Sequence, residues 1–195
     1  MVTKPNYDQL YEIAESQAGY FTAHQAREIG FTWERLSSNV KSGKFLRVMR
    51  GIYRLIHFPG SPHEDLFVAW LSAGMGSVIS HQSALAIYDL SDVIPGEVHA
   101  IISRTASRRR GNIRLHTNRL YPGDVIIREG LPVTSVSRTI VDVIVSGLAY
   151  EHIEKAINEA LQRGLTTREE MLFQARRRGG KVHEMIRQVI EGEDG

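Results

Sequence analysis

Two clusters of basic side chains are the groups best suited to do chemistry in this 195-residue chain. Between Thr32 and Arg54 stand Arg35, Lys41, Lys44, Arg47, Arg50 and Arg54, with Glu34 the only acid among them. Between Arg104 and Arg119 stand Arg104, Arg108, Arg109, Arg110, Arg114 and Arg119, with no acid at all. The intervening stretch, 55–103, has no Lys or Arg and carries Glu64, Asp65, Asp89, Asp92 and Glu97. The formal net charge of +2 conceals this segregation. A polyanion responds to local patches of one sign rather than to the total. Guanidinium and ammonium groups neutralise phosphates, and the arginine fork also matches guanine O6/N7.

Groups able to carry catalysis are sparser. There are eight histidines and no cysteine, so thiolate ligands, cysteine nucleophiles and disulfides are excluded. No histidine pair has the H-E-x-x-H spacing, and no metal site is expected. Ser80-His81-Gln82-Ser83, with Asp89 or Asp92 beyond, contains the residue types of a nucleophilic triad. No G-x-S-x-G elbow accompanies them, and the plainer reading is a helix start capped by Ser80 with His81 packed inside. Asp89, Glu97 and His99 resemble a degraded PD-(D/E)XK nuclease pattern, with His99 standing where a lysine is required. Neither a phosphate-binding G-x-x-x-x-G-K-[ST] loop nor a G-x-G-x-x-G turn is present. The chain is therefore expected to be no enzyme and to need no cofactor.

The elements that must position the first basic cluster are legible. Residues 6–17 fit an amphipathic helix with Tyr7, Leu10, Tyr11 and Ala14 on its inner face and Asn6 as cap. Thr22 and Gln25 form a capping box, Phe21 is placed to staple onto Ala26, and Gly30 ends this second helix. Thr32 caps a third helix, in which Trp33, Leu36 and Val40 are expected to point inward. Two short helices joined by a tight glycine turn form a helix-turn-helix, whose second helix enters a major groove. Leu46 to Leu55 then reads as a hairpin turning at Arg50-Gly51, which is a wing. On this reading Thr32, Trp33, Arg35, Ser38 and Lys41 lie on or beside the groove-facing helix. Arg35 is the favoured base contact, and Lys44, Arg47, Arg50 and Arg54 hold phosphates. A third helix occluded by the chain, or wing arginines locked in internal ion pairs, would contradict it.

From Arg50-Gly51-Ile52-Tyr53-Arg54 onward the sequence resembles the AbiEi family of antitoxins. The resemblance continues in Val78-Ile79-Ser80-His81-Gln82-Ser83-Ala84-Leu85, Glu97-Val98-His99, Gly130-Leu131-Pro132-Val133-Thr134 and Arg138-Thr139-Ile140-Val141-Asp142, across roughly residues 7–145. It implies a winged-helix N-terminal domain followed by a mixed α/β antitoxin domain. Such proteins typically repress their own promoters by binding repeats and oppose a nucleotidyltransferase-like toxin encoded beside them, in phage defence. Met49 departs from the family, which often has a further basic residue there.

The remaining chain reads as α+β. Pro59-Gly60-Ser61-Pro62 is a linker, giving domains 1–58 and 59–195. Helices are expected at 63–73, after Ser80 and at about 136–146, and strands at 97–103, 113–118, 124–128 and 131–134. Three further amphipathic helices follow to the C-terminus. The tip bearing Arg104, Arg108, Arg109 and Arg110 would add contacts to DNA or to an acidic partner. No apolar run approaches the ~18 residues of a membrane span, and no secretory leader is evident. The expected protein is a cytoplasmic winged-helix regulator of double-stranded promoter DNA, with a functional or physical link to a nucleotidyltransferase-like toxin. The alternatives are a stand-alone repressor sensing a small molecule and a PD-(D/E)XK-like nuclease or its inactive remnant.

Overall fold

The structure, a computed structural model, describes residues 4–92, 95–102 and 109–192. It is mixed α+β and divides into two compact units: residues up to Met75 with Glu129–Leu131, and Gly76–Arg128 with Pro132 onward. The boundary read from the sequence, 58/59, falls inside the first unit, ahead of a helix that packs with it.

The first unit runs α1 (Tyr7–Glu15), β1 (Tyr20–Thr22), α2 (Ala23–Glu28), α3 (Trp33–Lys41), β2 (Phe45–Met49), β3 (Ile52–Leu55) and α4 (Glu64–Ala73). The strands form an antiparallel sheet in the order β1-β3-β2. This is a winged helix, with α2–α3 as the helix-turn-helix and β2–β3 as the wing. Its core holds Leu10, Ala14, Phe21, Ala26, Phe31, Leu36, Phe45 and Tyr53. Phe21 meets Phe45 edge-on at 5.0 Å and stacks on Tyr53 at 5.7 Å, so aromatic packing joins β1 to both wing strands.

Local chemistry accounts for the ends of these helices. Thr22 accepts from the Gln25 amide, and the Gln25 side chain reaches back to the Thr22 N–H, completing the expected capping box. Thr32 accepts from the Arg35 amide and starts α3 two residues after Gly30, whose φ of +94° suits glycine. Two inner-face expectations fail. Tyr7 and Tyr11 are exposed, and Leu10 and Ala14 alone fill the buried stripe of α1. Trp33 is 54% exposed, while Asn39 is buried beside Leu36. Asn39 can be buried because its amide donates to Arg35 O at 3.0 Å and to the Tyr7 hydroxyl at 3.1 Å.

The second unit holds a six-stranded mixed sheet in the order β6-β7-β5-β4-β9-β8. Its strands are β4 (Val78–Ile79), β5 (Val98–Ile101), β6 (Arg109–Arg110), β7 (Ile113–His116), β8 (Val125–Arg128) and β9 (Leu131–Thr134). Among the described residues it is accompanied by α5 (His81–Ile87), α6 (Val136–Val145), α7 (Tyr150–Gln162), α8 (Arg168–Arg178) and α9 (Gly180–Gly192). The two-residue strands β4 and β6 were not expected. β4 is central, pairing antiparallel with β5 and parallel with β9. α8 starts with a capping box formed by Thr167 and Glu170. Ser80 precedes α5 but makes no side-chain cap bond, against expectation; its hydroxyl lies 2.9 Å from His81 Nδ1 instead.

Candidate nucleic-acid interface

Exposure on α3 follows from its inner stripe. Leu36, Asn39 and Val40 point into the unit, so Arg35, Ser38 and Lys41 emerge on the opposite face with Thr32 and Trp33 at its N-terminus. All five are exposed. Trp33 is held there by cation–π contact: the Arg27 guanidinium lies 5.2 Å from its ring centroid. Arg27 escaped the sequence reading. The available signal was an arginine and a tryptophan on either side of the Gly30 turn.

The wing is short. Phe45 pairs with Leu55, Leu46 with Arg54, Arg47 with Tyr53 and Met49 with Ile52, with a bulge between Arg47 and Met49. Gly51 closes the turn at φ +80°, a conformation that suits glycine, and Arg50 beside it is exposed. β2 is an edge strand exposed from Leu46 through Met49, whereas Ile52 and Tyr53 of β3 are buried. Lys44 lies at the entry to β2, its ammonium 5.8 Å from the Tyr7 ring centroid.

Charge in this region is largely unspent. Among the described residues Arg35, Lys41, Lys44, Arg47 and Arg50 enter no ion pair. Glu34 is the acid among them, and its own backbone N–H and the Thr32 hydroxyl hold its carboxyl below the ordinary range. That negative charge sits at the positive end of the α3 dipole, where it is stabilised.

Arg54 requires a correction. Its side chain is only 14% exposed, and Nη2 donates to Phe58 O at 2.9 Å and to Pro59 O at 3.0 Å. The same nitrogen lies 3.4 Å from Glu64 Oε1, and the guanidinium covers the Tyr20 ring. Arg54 thus ties β3 to the segment leading into α4 and is withdrawn from the phosphate set. Its neighbours in sequence gave no hint, because the acceptors are backbone carbonyls.

The second basic cluster is only partly described. Arg104 and Arg108 lie outside the described residues. Arg109 and Arg110 form the edge strand β6, where Arg109 pairs with Arg114 and Arg110 with Ile113 of β7.

Ser80 and His81 meet at hydrogen-bond distance, but both are buried. Ser83 Oγ accepts from the His99 backbone N–H at 2.9 Å. Asp92 is exposed and bonded to Lys155. Glu97 pairs with Arg114 at 3.6 Å, and the Asp89 carbonyl accepts from Arg163. What the sequence reading missed is the convergence of His81, His99 and His116, which are spread over three elements.

Residues 8–56, from α1 to just beyond the wing, match the family model described as "Transcriptional regulator, AbiEi antitoxin". The blocks at 78–85, 97–99 and 130–142 lie outside that match. The fold resembles the crystal structure of the RV2827C protein from Mycobacterium tuberculosis, with a TM-score of 0.57 and 12% identity. That alignment covers 97% of this chain and 78% of the other, and it shows likeness of fold. No curated protein matches the chain.

Proposed function

We propose that the chain is a DNA-binding antitoxin that represses its own promoter and counteracts a cognate nucleotidyltransferase-like toxin. One observation carries the DNA-binding part: a winged helix exposes Arg35 and Lys41 on α3 and Lys44, Arg47 and Arg50 along the wing, with none of them in an ion pair among the described residues. α3 enters the major groove, Arg35 reads a guanine edge, and Ser38 and Trp33 lie beside it. Thr32 contributes by holding the N-terminus of α3. Lys41, Lys44, Arg47 and Arg50 neutralise backbone phosphates, each adding about −0.9 to the log–log salt slope on B-DNA. Arg104, Arg108, Arg109 and Arg110 extend this footprint or meet an acidic partner. The family match over residues 8–56 supports regulation and antitoxin action. The protein acts by binding, without catalysis, in the cytoplasm. Within the described residues no helix is long and apolar enough to cross a membrane.

The test is a titration of promoter and random duplexes at several salt concentrations, paired with co-expression of the neighbouring gene product scored for growth. Salt-dependent preference for promoter repeats and rescue of growth are expected. Equal affinity for all duplexes would overturn autoregulation, and absence of rescue would overturn antitoxin action.

A second reading, repression gated by a small molecule, draws on a cavity of about 380 Å³ in the second unit. Arg119, Arg178 and Tyr121 line it together with Asp142 and with Arg138 and Arg177, whose guanidinium groups are already paired with Asp124 and Asp142; Arg119 and Arg178 enter no ion pair among the described residues and, beside Tyr121, suit an anion with an aromatic or planar part. Thermal-shift screening against anionic metabolites distinguishes it from the first reading.

A further inference from the structure

We propose that His81, His99 and His116 form a binding site for one late first-row divalent cation, with zinc the best fit. The three side chains come from the first residue of α5, the middle of β5 and the end of β7. Each offers a ring nitrogen, and these atoms all lie within 4.8 Å of one another. His99 pairs with Arg114 and Ile101 with His116 in the parallel β5–β7 ladder. His99 and His116 are therefore diagonal neighbours on one face of the sheet. Their nitrogens Nδ1 and Nε2 stand 3.2 Å apart. A tetrahedral zinc with bonds of ~2.0–2.1 Å separates two ligand nitrogens by roughly 3.3 Å. The His81 ring stacks over His116 with centroids 3.6 Å apart.

The surroundings favour ligation over packing alone. Ser80 Oγ engages His81 Nδ1 at 2.9 Å, which fixes the ring and leaves Nε2 as the ligand atom. Ser80 gives up its cap bond to do so, and His81 holds φ at +52°, in the left-handed region. Local rules broken together at two adjacent buried residues are a pattern of functional sites. The backbone is pinned as well: Ser80 N–H donates to His99 O, and His99 N–H donates to Ser83 Oγ. Without a cation, only one N–H···N bond can join His99 to His116. A cation would satisfy one lone pair on each of the three rings.

Donor chemistry sets the class of ion. Three imidazoles without carboxylate or thiolate discriminate against magnesium and calcium and suit zinc, nickel, cobalt or copper. Nearby Arg114 and Arg138 are turned to Glu97 and to Asp124 and Asp142. The bound ion ties the start of α5 to two strands of the sheet, and three ligands leave one coordination position for water.

The test uses the full chain, free of any affinity tag and stripped with chelator, titrated with Co²⁺ and followed in the visible spectrum. A band of four-coordinate cobalt saturating at one equivalent, and bleached by Zn²⁺, is expected. Ser80→Ala should weaken binding about tenfold, and the pair His57→Ala/His63→Ala should leave it unchanged. His116→Gln should abolish the band, with near-UV circular dichroism reporting its fold; His99→Gln replaces it if that variant unfolds. The wild-type chain leaving the spectrum of aqueous Co²⁺ unaltered would overturn the proposal. So would a folded His116→Gln or His99→Gln variant that still binds one equivalent.

Discussion

Arginine is used in opposite ways in the two units. On α3 and the wing, Arg35, Arg47 and Arg50 are exposed and enter no ion pair among the described residues. In the second unit, Arg138 is buried and donates to Asp124 at 2.7 Å, to Asp142 at 3.0 Å and to Arg119 O. Arg177 reaches the other Asp124 oxygen at 2.9 Å, beside Gln174 at the same distance. A guanidinium satisfied inside the protein fixes structure, whereas one facing water keeps its charge for a ligand. Arg54 belongs to the inward kind although it lies on the wing. Position in sequence therefore does not decide which use prevails.

The comparison can be broken most forcefully at Asp124. Its carboxylate is fully buried and receives Arg138, Arg177, Gln174 and the Tyr121 N–H. Asp124→Ala leaves buried donors and charge unpaired and should cost about 3–5 kcal/mol in denaturant unfolding. Loss below about 1 kcal/mol would show that the network contributes little. Burial opposes ionisation of Asp124, but its donors outweigh burial and hold the carboxyl below its usual range. The stabilisation is thus present above the unfolded carboxyl value, ~3.9, and is lost as pH falls through the lower folded value. Asp142 runs the other way, its carboxyl pushed up because burial dominates over Arg138. The acid limb of the stability profile should be shallower in Asp124→Asn than in the wild type.

The exposed set is tested next. Arg35→Ala should cost ~1–3 kcal/mol on promoter DNA and little on random duplex, read by gel-shift titration. Equal loss on both would remove its base-reading role. Thr22→Ala should destabilise the first unit by ~1 kcal/mol, because it deletes the bond from the Gln25 N–H to the Thr22 hydroxyl, one of the two bonds of the α2 capping box. The finest discrimination contrasts two wing arginines. Arg50→Ala should reduce the salt slope by about one unit with melting temperature unchanged. Arg54→Ala should lower the melting temperature and leave the slope intact. Reversed results would exchange their roles.

Much of the first unit was legible because its signals are local. Thr22, Gln25, Thr32, Gly30 and Gly51 act on backbone groups within a few residues, so spacing alone locates the helix-turn-helix and the wing turn. Trp33 was misplaced because period counting treats every large apolar residue as a core residue. Leu36 and Asn39 fill the interior, and Arg27 supports the indole outside it. In the second unit β4 and β6 are too short to carry a period, and their ladders alone define them.

Charge segregation, helix caps and the glycine turns are properties of neighbouring residues, and the sequence by itself determined them. Whether an arginine is free or spent, and whether distant histidines share a site, depends on groups brought together across the fold. Arg54 finds carbonyls in the segment after its strand, and His81, His99 and His116 meet only through sheet register and the start of α5. Hydrogen bonding, ion pairing and ligation act over a few ångströms, so tertiary contact alone could decide those roles.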